Sequence, residues 1–235
     1  MMIRAILFDF GQTLVDSANG FRAAEKEAQT KIFSNLSLTL WDDFLSNYRR
    51  IRKEFHAKSI FSRKSIWNEV YFYYCLEPDL KRLEIWENEY WERVKAETVP
   101  FPETVQVLEN LSTEYLLGLI TNTQGQKASG KHRISLFPEL ERFFEVVIVA
   151  GESGLPPKPD PAPFHLCLDS LGTTPGEAVY IGDDWRIDIC GAKDIGLQPI
   201  WIKHHSVRRS WPDIKTSVPV ITSLDQLLDL NRVLD

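Results

Sequence analysis

The chain opens with an apolar run, residues 3–8, that stops abruptly at a carboxylate, a glycine and a hydroxyl: Asp9, Gly11 and Thr13. An apolar run of this length, here with Arg4 near its start, is typical of a buried parallel strand, because both faces of such a strand are covered. In open α/β sheets the functional site lies at the carboxyl ends of the strands. The start of the chain therefore predicts a buried strand that delivers Asp9 to a site at its end.

Four more short aliphatic runs follow in the second half of the chain, at residues 116–121, 146–150, 178–181 and 199–202. Helical patterns separate them, and this alternation predicts a Rossmann-like parallel sheet with helices on both faces. In residues 17–97 the apolar residues instead recur at helical spacing. We therefore expect an α/β core domain made of residues 1–16 and 98–235, with an all-helical domain, residues 17–97, inserted after the first strand.

Polar groups with related chemistry lie at or after other predicted strand ends. Thr121 and Asn122 end the second run, Lys158 lies among prolines before a predicted helix, and Asp183 and Asp188 follow the fourth run. Carboxylate oxygens are ligands that Mg²⁺ prefers. Hydroxyl and backbone N–H groups can hold a phosphate without adding charge, and a lysine can stabilise a transferring phosphoryl group.

These segments resemble, in order, the four motifs of the haloacid dehalogenase (HAD) superfamily. They occupy residues 9–14, 121–122, 154–161 and 182–188, which span most of the chain. The resemblance implies a Rossmann-like core with a helical cap that excludes water from the site. It also implies that Asp9 attacks phosphorus to give an aspartyl-phosphate that water then hydrolyses.

The resemblance implies roles for the other motif residues. A bound Mg²⁺ would be held by Asp9, Asp183 and the backbone carbonyl of Gly11, with Asp188 supporting the metal shell or orienting Lys158. Lys158 and Thr121 would assist the reaction. The residues implied in phosphate binding are Gly11, Gln12, Thr121, Asn122 and Lys158. The role of Asp184 stays open between the site and an N-cap of the following helix.

Gly11 departs from the motif, because most phosphatases of the superfamily have a second aspartate there as general acid and base. Such help is typically worth roughly a hundred- to ten-thousand-fold in rate. We expect an Mg²⁺-dependent hydrolase of phosphate monoesters. The alternatives are a 2-haloacid dehalogenase, whose halide needs no proton, a phosphonatase, or a catalytically silent phosphate-binding protein. Dehalogenases lack the metal-binding acids, whereas Asp183 and Asp188 are present here, and no phosphonatase signature is evident among the cap lysines.

The overall composition limits the partners. The formal net charge of −6 argues against general nucleic-acid binding, and no apolar run approaches membrane-spanning length. The three cysteines have no metal-site or redox spacing, which favours a cytoplasmic location. We expect a small phosphorylated metabolite as substrate, no nucleic-acid or membrane partner, and a monomer or homodimer. The basic stretch from Arg49 to Lys53 is interpreted as a solvated helix face.

Overall fold

The computed structural model describes residues 2–123 and 132–234. These residues form two compact units. The α/β unit comprises residues 2–18, 99–122 and 133–234, and the helical unit comprises residues 19–98 with Thr123 and His132. Among the described residues, no helix combines the length and the apolar character needed to cross a lipid bilayer.

Six strands of the α/β unit form one sheet in the order β5-β4-β1-β6-β7-β8, and each of its strand pairs is parallel. The strands are β1 (Ala5–Phe8), β2 (Val15–Asp16), β3 (Val99–Pro100), β4 (Leu116–Asn122), β5 (Val146–Ala150), β6 (Ala178–Gly182), β7 (Gln198–Ile202) and β8 (Val220–Ile221). This is the strand order of a doubly wound, Rossmann-like sheet. The predicted α/β fold class is confirmed, and β2 and β3 form a separate antiparallel pair.

The helices alternate with the strands in the α/β unit and follow one another directly in the helical unit. They are α1 (Ala18–Asn35), α2 (Trp41–Ala57), α3 (Arg63–Tyr73), α4 (Leu80–Ala96), α5 (Thr104–Leu111), α6 (Pro138–Glu141), α7 (Pro161–Leu171), α8 (Gly191–Asp194) and α9 (Leu230–Leu234). One turn of π-helix, Trp185–Cys190, leads into α8. The apolar stripes predicted in residues 17–97 thus correspond to α1–α4.

The sheet is buried on both faces because successive side chains of a strand point to opposite sides. Ile6 and Phe8 of β1 belong to a hydrophobic cluster with residues of α5, α6 and α9. Ala5 and Leu7 belong to a second cluster with residues of α7 and α8. β1 is therefore held rigidly in the middle of the sheet, and its last residue is followed at once by Asp9.

The helical unit has a hydrophobic core of its own, to which α1–α4 all contribute. The largest side chains in it are aromatic, and the buried Trp67 donates its indole N–H to the hydroxyl of Tyr48 at 2.9 Å. A buried Trp or Tyr needs such a partner for its polar atom. The described part of this unit is therefore a packed bundle of four helices with its own core rather than an extended loop.

Candidate active site

Three predicted site residues lie at the carboxyl ends of neighbouring strands. Asp9 follows β1, Thr121 lies at the end of β4, and Asp183 follows β6. β1 lies between β4 and β6, where the order of the strands reverses, and such switch points are where open α/β sheets bind ligands. The backbone N–H of Asp9 donates to the carbonyl of Ile181 at 2.9 Å. The hydrogen bonds between β1 and β6 thus also fix the backbone position of Asp9.

Asp9, Asp183 and Asp188 form a buried cluster of carboxylates. Each offers one oxygen atom, and these atoms all lie within 4.8 Å of one another. Asp188 reaches the cluster from the π-helical turn because Gly182 has no side chain: a Cβ atom there would lie 2.4 Å from the Cβ of Asp188. The side chain of Asp184 accepts from the backbone N–H groups of Arg186 and Ile187 at 3.0 and 2.9 Å, which makes it an N-cap.

Lys158 lies fully buried among these carboxylates, with 1% of its surface exposed. Its Nζ lies 2.9 Å from Asp9 Oδ1, 2.7 Å from Asp188 Oδ1, 2.7 Å from the Tyr180 hydroxyl and 2.8 Å from the Ile120 carbonyl. Burial alone would lower the pKa of this amine, but Asp188 and Asp9 raise the pKa above its ordinary value. The lysine therefore stays charged and holds one oxygen of Asp9.

The side chain of Asn122, predicted to bind phosphate, instead positions Lys158. Its Oδ1 accepts from the backbone N–H of Lys158 at 2.8 Å, and its Nδ2 donates to the Lys158 carbonyl at 3.0 Å. This pair of bonds ties the end of β4 to the loop that carries the lysine. A side-chain amide has both an acceptor and a donor, so it can pair with the N–H and C=O of one backbone residue, as a neighbouring strand does. The spacing of residues in the sequence does not reveal such a pairing.

Gln12, also predicted to bind phosphate, is engaged locally. Its backbone N–H donates to the Val15 carbonyl at 2.8 Å, and its side-chain amide lies 3.0 Å from Ser17 Oγ. With the amide oxygen turned toward Ser17, that oxygen also lies 3.0 Å from the backbone nitrogens of Ser17 and Ala18. Gln12 thus stabilises the turn that leads into α1, and its part in phosphate binding stays a prediction.

Gly11 borders a buried cation that the sequence did not indicate. A Cβ atom at this position would lie 3.2 Å from one Nη of Arg133 and 3.9 Å from Ser17 Oγ. Arg133 is 2% exposed and lies over the ring of Phe10, 5.4 Å from its centroid. The space in which a second aspartate would begin is therefore next to a guanidinium group. Thr13 lies on the other side of the turn and donates to Asp9 Oδ2 at 3.4 Å.

Two further residues around Asp183 were not identified from the sequence. Trp201 donates its indole N–H to the Asp183 carbonyl at 2.9 Å, and the guanidinium of Arg209 contacts the Asp183 carboxylate. Tyr180 was missed as well, because a tyrosine inside an apolar run is more readily interpreted as core. Its hydroxyl lies near both Lys158 and Asp188 Oδ1, the latter at 3.2 Å.

The site carries a surplus of negative charge. Burial, followed by the neighbouring carboxylates Asp9 and Asp188, raises the pKa of Asp183 well above its ordinary value, although Arg209 opposes this. Among the described residues, these three buried carboxylates form ion pairs with two cations, Lys158 and Arg209. Hard oxygen donors in negative surplus are the donor set that Mg²⁺ takes. The residues present therefore fit a divalent metal.

The family follows from comparison with known sequences. Residues 6–202 match the family model for haloacid dehalogenase-like hydrolases. The chain belongs to this family. The match covers most of the chain and includes Asp9, Thr121, Lys158 and Asp183, so the identification made from the motifs is confirmed, and the protein is a hydrolase of this fold.

Similar proteins include two curated phosphatases and a solved dehalogenase. Glyceraldehyde 3-phosphate phosphatase of Pyrococcus furiosus is 28% identical, over 97% of this chain and 92% of the relative. N-acylneuraminate-9-phosphatase of Rattus norvegicus is 28% identical, over 85% and 82%. The structure of a 2-haloacid dehalogenase from Pseudomonas syringae matches with a TM-score of 0.64 and 25% identity, over 99% of this chain and 98% of that one.

Proposed function

We propose that this HAD-like hydrolase is an Mg²⁺-dependent phosphoric-monoester hydrolase that acts on a small phosphorylated metabolite through an aspartyl-phosphate at Asp9. The observation that carries the proposal is the buried cluster of Asp9, Asp183 and Asp188 around Lys158. Dehalogenases of the superfamily, by the resemblance described above, lack these metal-binding acids. The phosphatase relatives support the same reaction class.

The carboxylates define where the metal belongs in this proposal. Asp9 and Asp183 would hold Mg²⁺ together with the backbone carbonyl of Gly11, and Asp188 would support the shell while it orients Lys158. When bound, the ion supplies positive charge that offsets the repulsion between Asp9 and a phosphate. Asp9 Oδ1 is held by Lys158, whereas among the described residues Oδ2 has only the longer contact with Thr13. Oδ2 is therefore the oxygen assigned to attack.

The reaction then runs in two displacements. Asp9 Oδ2 forms a bond to phosphorus while the ester P–O bond breaks, and the alcohol oxygen leaves with the electron pair. Water next attacks phosphorus, the bond from phosphorus to Asp9 breaks, and orthophosphate leaves. Lys158 holds Asp9 in place through both steps and, with the hydroxyl of Thr121 and the backbone N–H groups near Gly11 and Asn122, is assigned to the phosphate oxygens.

Gly11 decides which leaving groups suit the site. It has no side chain to protonate the departing oxygen, and the nearby Arg133 can donate a hydrogen bond but cannot give up its proton. The alcohol must therefore leave largely as an anion or take its proton from water or from the substrate itself. The proposal accordingly includes a substrate with an acidic leaving oxygen, or a proton donor other than the residue at position 11.

Two further parts of the proposal concern the cellular location and the oligomeric state. A cytoplasmic location is supported by three cysteines that are all free thiols, Cys75, Cys167 and Cys190. The monomeric or homodimeric state stays a prediction.

A 2-haloacid dehalogenase is the second candidate, and the similarity to the Pseudomonas syringae structure and the missing acid at Gly11 favour it. Turnover of 2-haloacids without any metal would support that candidate over the phosphatase.

The proposal is tested by turnover of nitrophenyl phosphate. We expect activity that needs Mg²⁺, is lost in EDTA and is lost in Asp9→Asn. The matched control is Asp169→Asn, since Asp169 is an exposed carboxylate on α7 of the same unit. Undiminished turnover in EDTA or in Asp9→Asn, or equal loss in both variants, would overturn the mechanism.

A further inference from the structure

The helical unit contains a cleft that no step of the proposed reaction uses. Its volume is about 440 Å³, and residues of all four helices line it. Pockets for small ligands typically measure roughly 300–1,000 Å³. Phe21 and the buried Tyr90 give it an aromatic wall, with ring centroids 6.5 Å apart. The cleft is open to solvent and has room for a small molecule.

Cations dominate the lining of this cleft. Five cationic side chains and one carboxylate give it a formal charge of +4 with His56 neutral, in a chain whose net charge is −6. The charged residues are Arg22, Glu25, Lys26, Arg49, Arg52 and Arg63. Arg22 and Lys26 lie four residues apart on α1, and Arg49 and Arg52 lie three apart on α2, so each pair shares a helix face. The basic stretch on α2, interpreted from the sequence as a solvated face, thus contributes two residues to a cleft.

The floor of the cleft is a fixed ion network. Glu25 and Arg63 are only 8% and 4% exposed. Glu25 Oε1 lies 3.0 Å from Arg52 Nη1, Oε2 lies 3.7 Å from Arg63 Nε, and Tyr90 donates its hydroxyl to Oε2 at 3.1 Å. Arg63 also donates to the Phe61 carbonyl at 2.8 Å. The one carboxylate of the cleft therefore forms ion pairs with Arg52 and Arg63 and accepts a hydrogen bond from Tyr90.

The remaining cations have no opposite charge of their own. In the part of the chain that the structure describes, Lys26 and Arg49 form no ion pair, and the hydrogen-bond partner of Arg22 is the neutral side chain of Asn19. Like charges placed on one helix face repel each other. An anion in the cleft would relieve this repulsion, and it would meet Arg52 already oriented by Glu25.

We propose that this cleft binds the carboxylate or phosphate group of a small metabolite. The ligand is one that the helical unit binds by itself, since every residue that lines the cleft belongs to that unit. Arg49 and Lys26 are assigned as the principal contacts, with Arg22 and Arg52 beside them.

The experiment is calorimetric titration of the 235-residue chain in EDTA with sodium succinate and, separately, with inorganic phosphate. We expect saturable binding that weakens by about tenfold in Arg49→Gln, because the variant removes one of the cations assigned to contact the anion. The control is Lys53→Gln, because Lys53 is an exposed cation on the same helix that does not line the cleft. Arg49 is exposed and forms no ion pair, so its variant should fold.

Two outcomes would overturn the cleft proposal: neither anion gives saturable binding, or Lys53→Gln weakens binding as much as Arg49→Gln does. The failure of the proposed hydrolase function is visible separately. Absence of turnover on nitrophenyl phosphate would remove that function, while the titrations in EDTA would still test the cleft.

Discussion

The two units of this protein each bury a cluster of charges, and the clusters have opposite compositions. In the α/β unit a lysine, Lys158, is surrounded by carboxylates, including Asp9 and Asp188. In the helical unit a carboxylate, Glu25, is surrounded by the arginines Arg52 and Arg63. Buried charges are costly unless they are paired. The sign of the excess charge in each cluster therefore indicates which ion would neutralise it. A divalent cation would neutralise the cluster of the α/β unit, and an anion that of the helical unit.

The clusters also arise by different routes. The acidic cluster forms because parallel strands end at one edge of the sheet, so Asp9 and Asp183 meet although they are far apart in sequence. The basic cluster forms because residues three or four apart share a helix face, and two such faces, on α1 and α2, line one cleft. The first route depends on backbone geometry, and the second depends on side-chain spacing.

The largest expected effect is that of Lys158→Met. Turnover should fall by at least roughly a thousandfold, because Asp9 loses its positioning cation. The free energy of unfolding, measured by urea titration, should fall by about 3 kcal/mol, since the variant leaves buried carboxylates unpaired. Mg²⁺ should restore part of this loss. Lys193→Met, at an exposed lysine of α8, is the control; equal stability of both variants would contradict the acidic surplus.

The corresponding variant in the helical unit is Glu25→Gln. It should reduce the free energy of unfolding by about 3 kcal/mol at pH 7, because Arg63 stays buried without its carboxylate. Glu27→Gln, on the same helix but exposed, should cost at most about 0.5 kcal/mol. Urea titrations followed by tryptophan fluorescence measure both. A cost for Glu27→Gln as large as that for Glu25→Gln would break the comparison between the two clusters.

The effect of Glu25 should depend on pH in a definite direction. Burial alone would raise the pKa of Glu25, yet Arg63 and Arg52 hold it below its ordinary value of 4.5. Its stabilisation is therefore complete above that value and is lost as the pH falls through the lowered pKa of the folded state. The gap in unfolding free energy between wild type and Glu25→Gln should be full at pH 7 and should narrow below pH 4.5. A gap that widens on acidification would contradict the ion network.

A smaller effect is expected for Gly11→Asp. The new carboxylate would begin next to the Arg133 guanidinium, which should keep it ionised and unable to protonate a leaving group. Hydrolysis of alkyl phosphates should therefore improve by less than about tenfold. The measurement is a series of aryl and alkyl phosphates under single-turnover conditions. If wild type hydrolyses both kinds at similar rates, another residue already acts as the acid.

The smallest expected effect is that of Arg209→Gln. Arg209 contacts the Asp183 carboxylate and thus competes with a metal for it. Its removal should tighten Mg²⁺ binding by about fivefold, as expected for a partly exposed ion pair. Calorimetric titration with Mg²⁺ measures this, with Arg208→Gln as the neighbouring control. Weaker Mg²⁺ binding in Arg209→Gln would show that the arginine holds Asp183 in place instead.

The sequence predicted those elements that a short, local pattern of residue types determines. The five aliphatic runs became β1, β4, β5, β6 and β7, and each polar residue at a run's end lies where the strand rule places it. The short strands β2, β3 and β8 have two residues each, too few for a recognisable pattern.

The residues that sequence missed act through neighbours distant in the chain. Tyr180 is hidden inside an apolar run, and Arg133 and Arg209 lie in segments without any strand-end signal. The roles of Asn122 and Gln12 depend on which backbone groups they meet, Lys158 for one and the turn before α1 for the other. The basic cleft combines residues from four helices, and no single stretch of sequence displays it.

The measurement that tests the central claim most directly is trapping of the aspartyl-phosphate. A nitrophenyl leaving group makes the first step fast, and the missing base at Gly11 slows the second, so the intermediate should accumulate. Acid quench during turnover, borohydride reduction and peptide mapping should find the modification at Asp9 with Mg²⁺ and none in EDTA. Nitrophenol release with Mg²⁺ and an unmodified Asp9, or with the modification at another residue, would contradict the account.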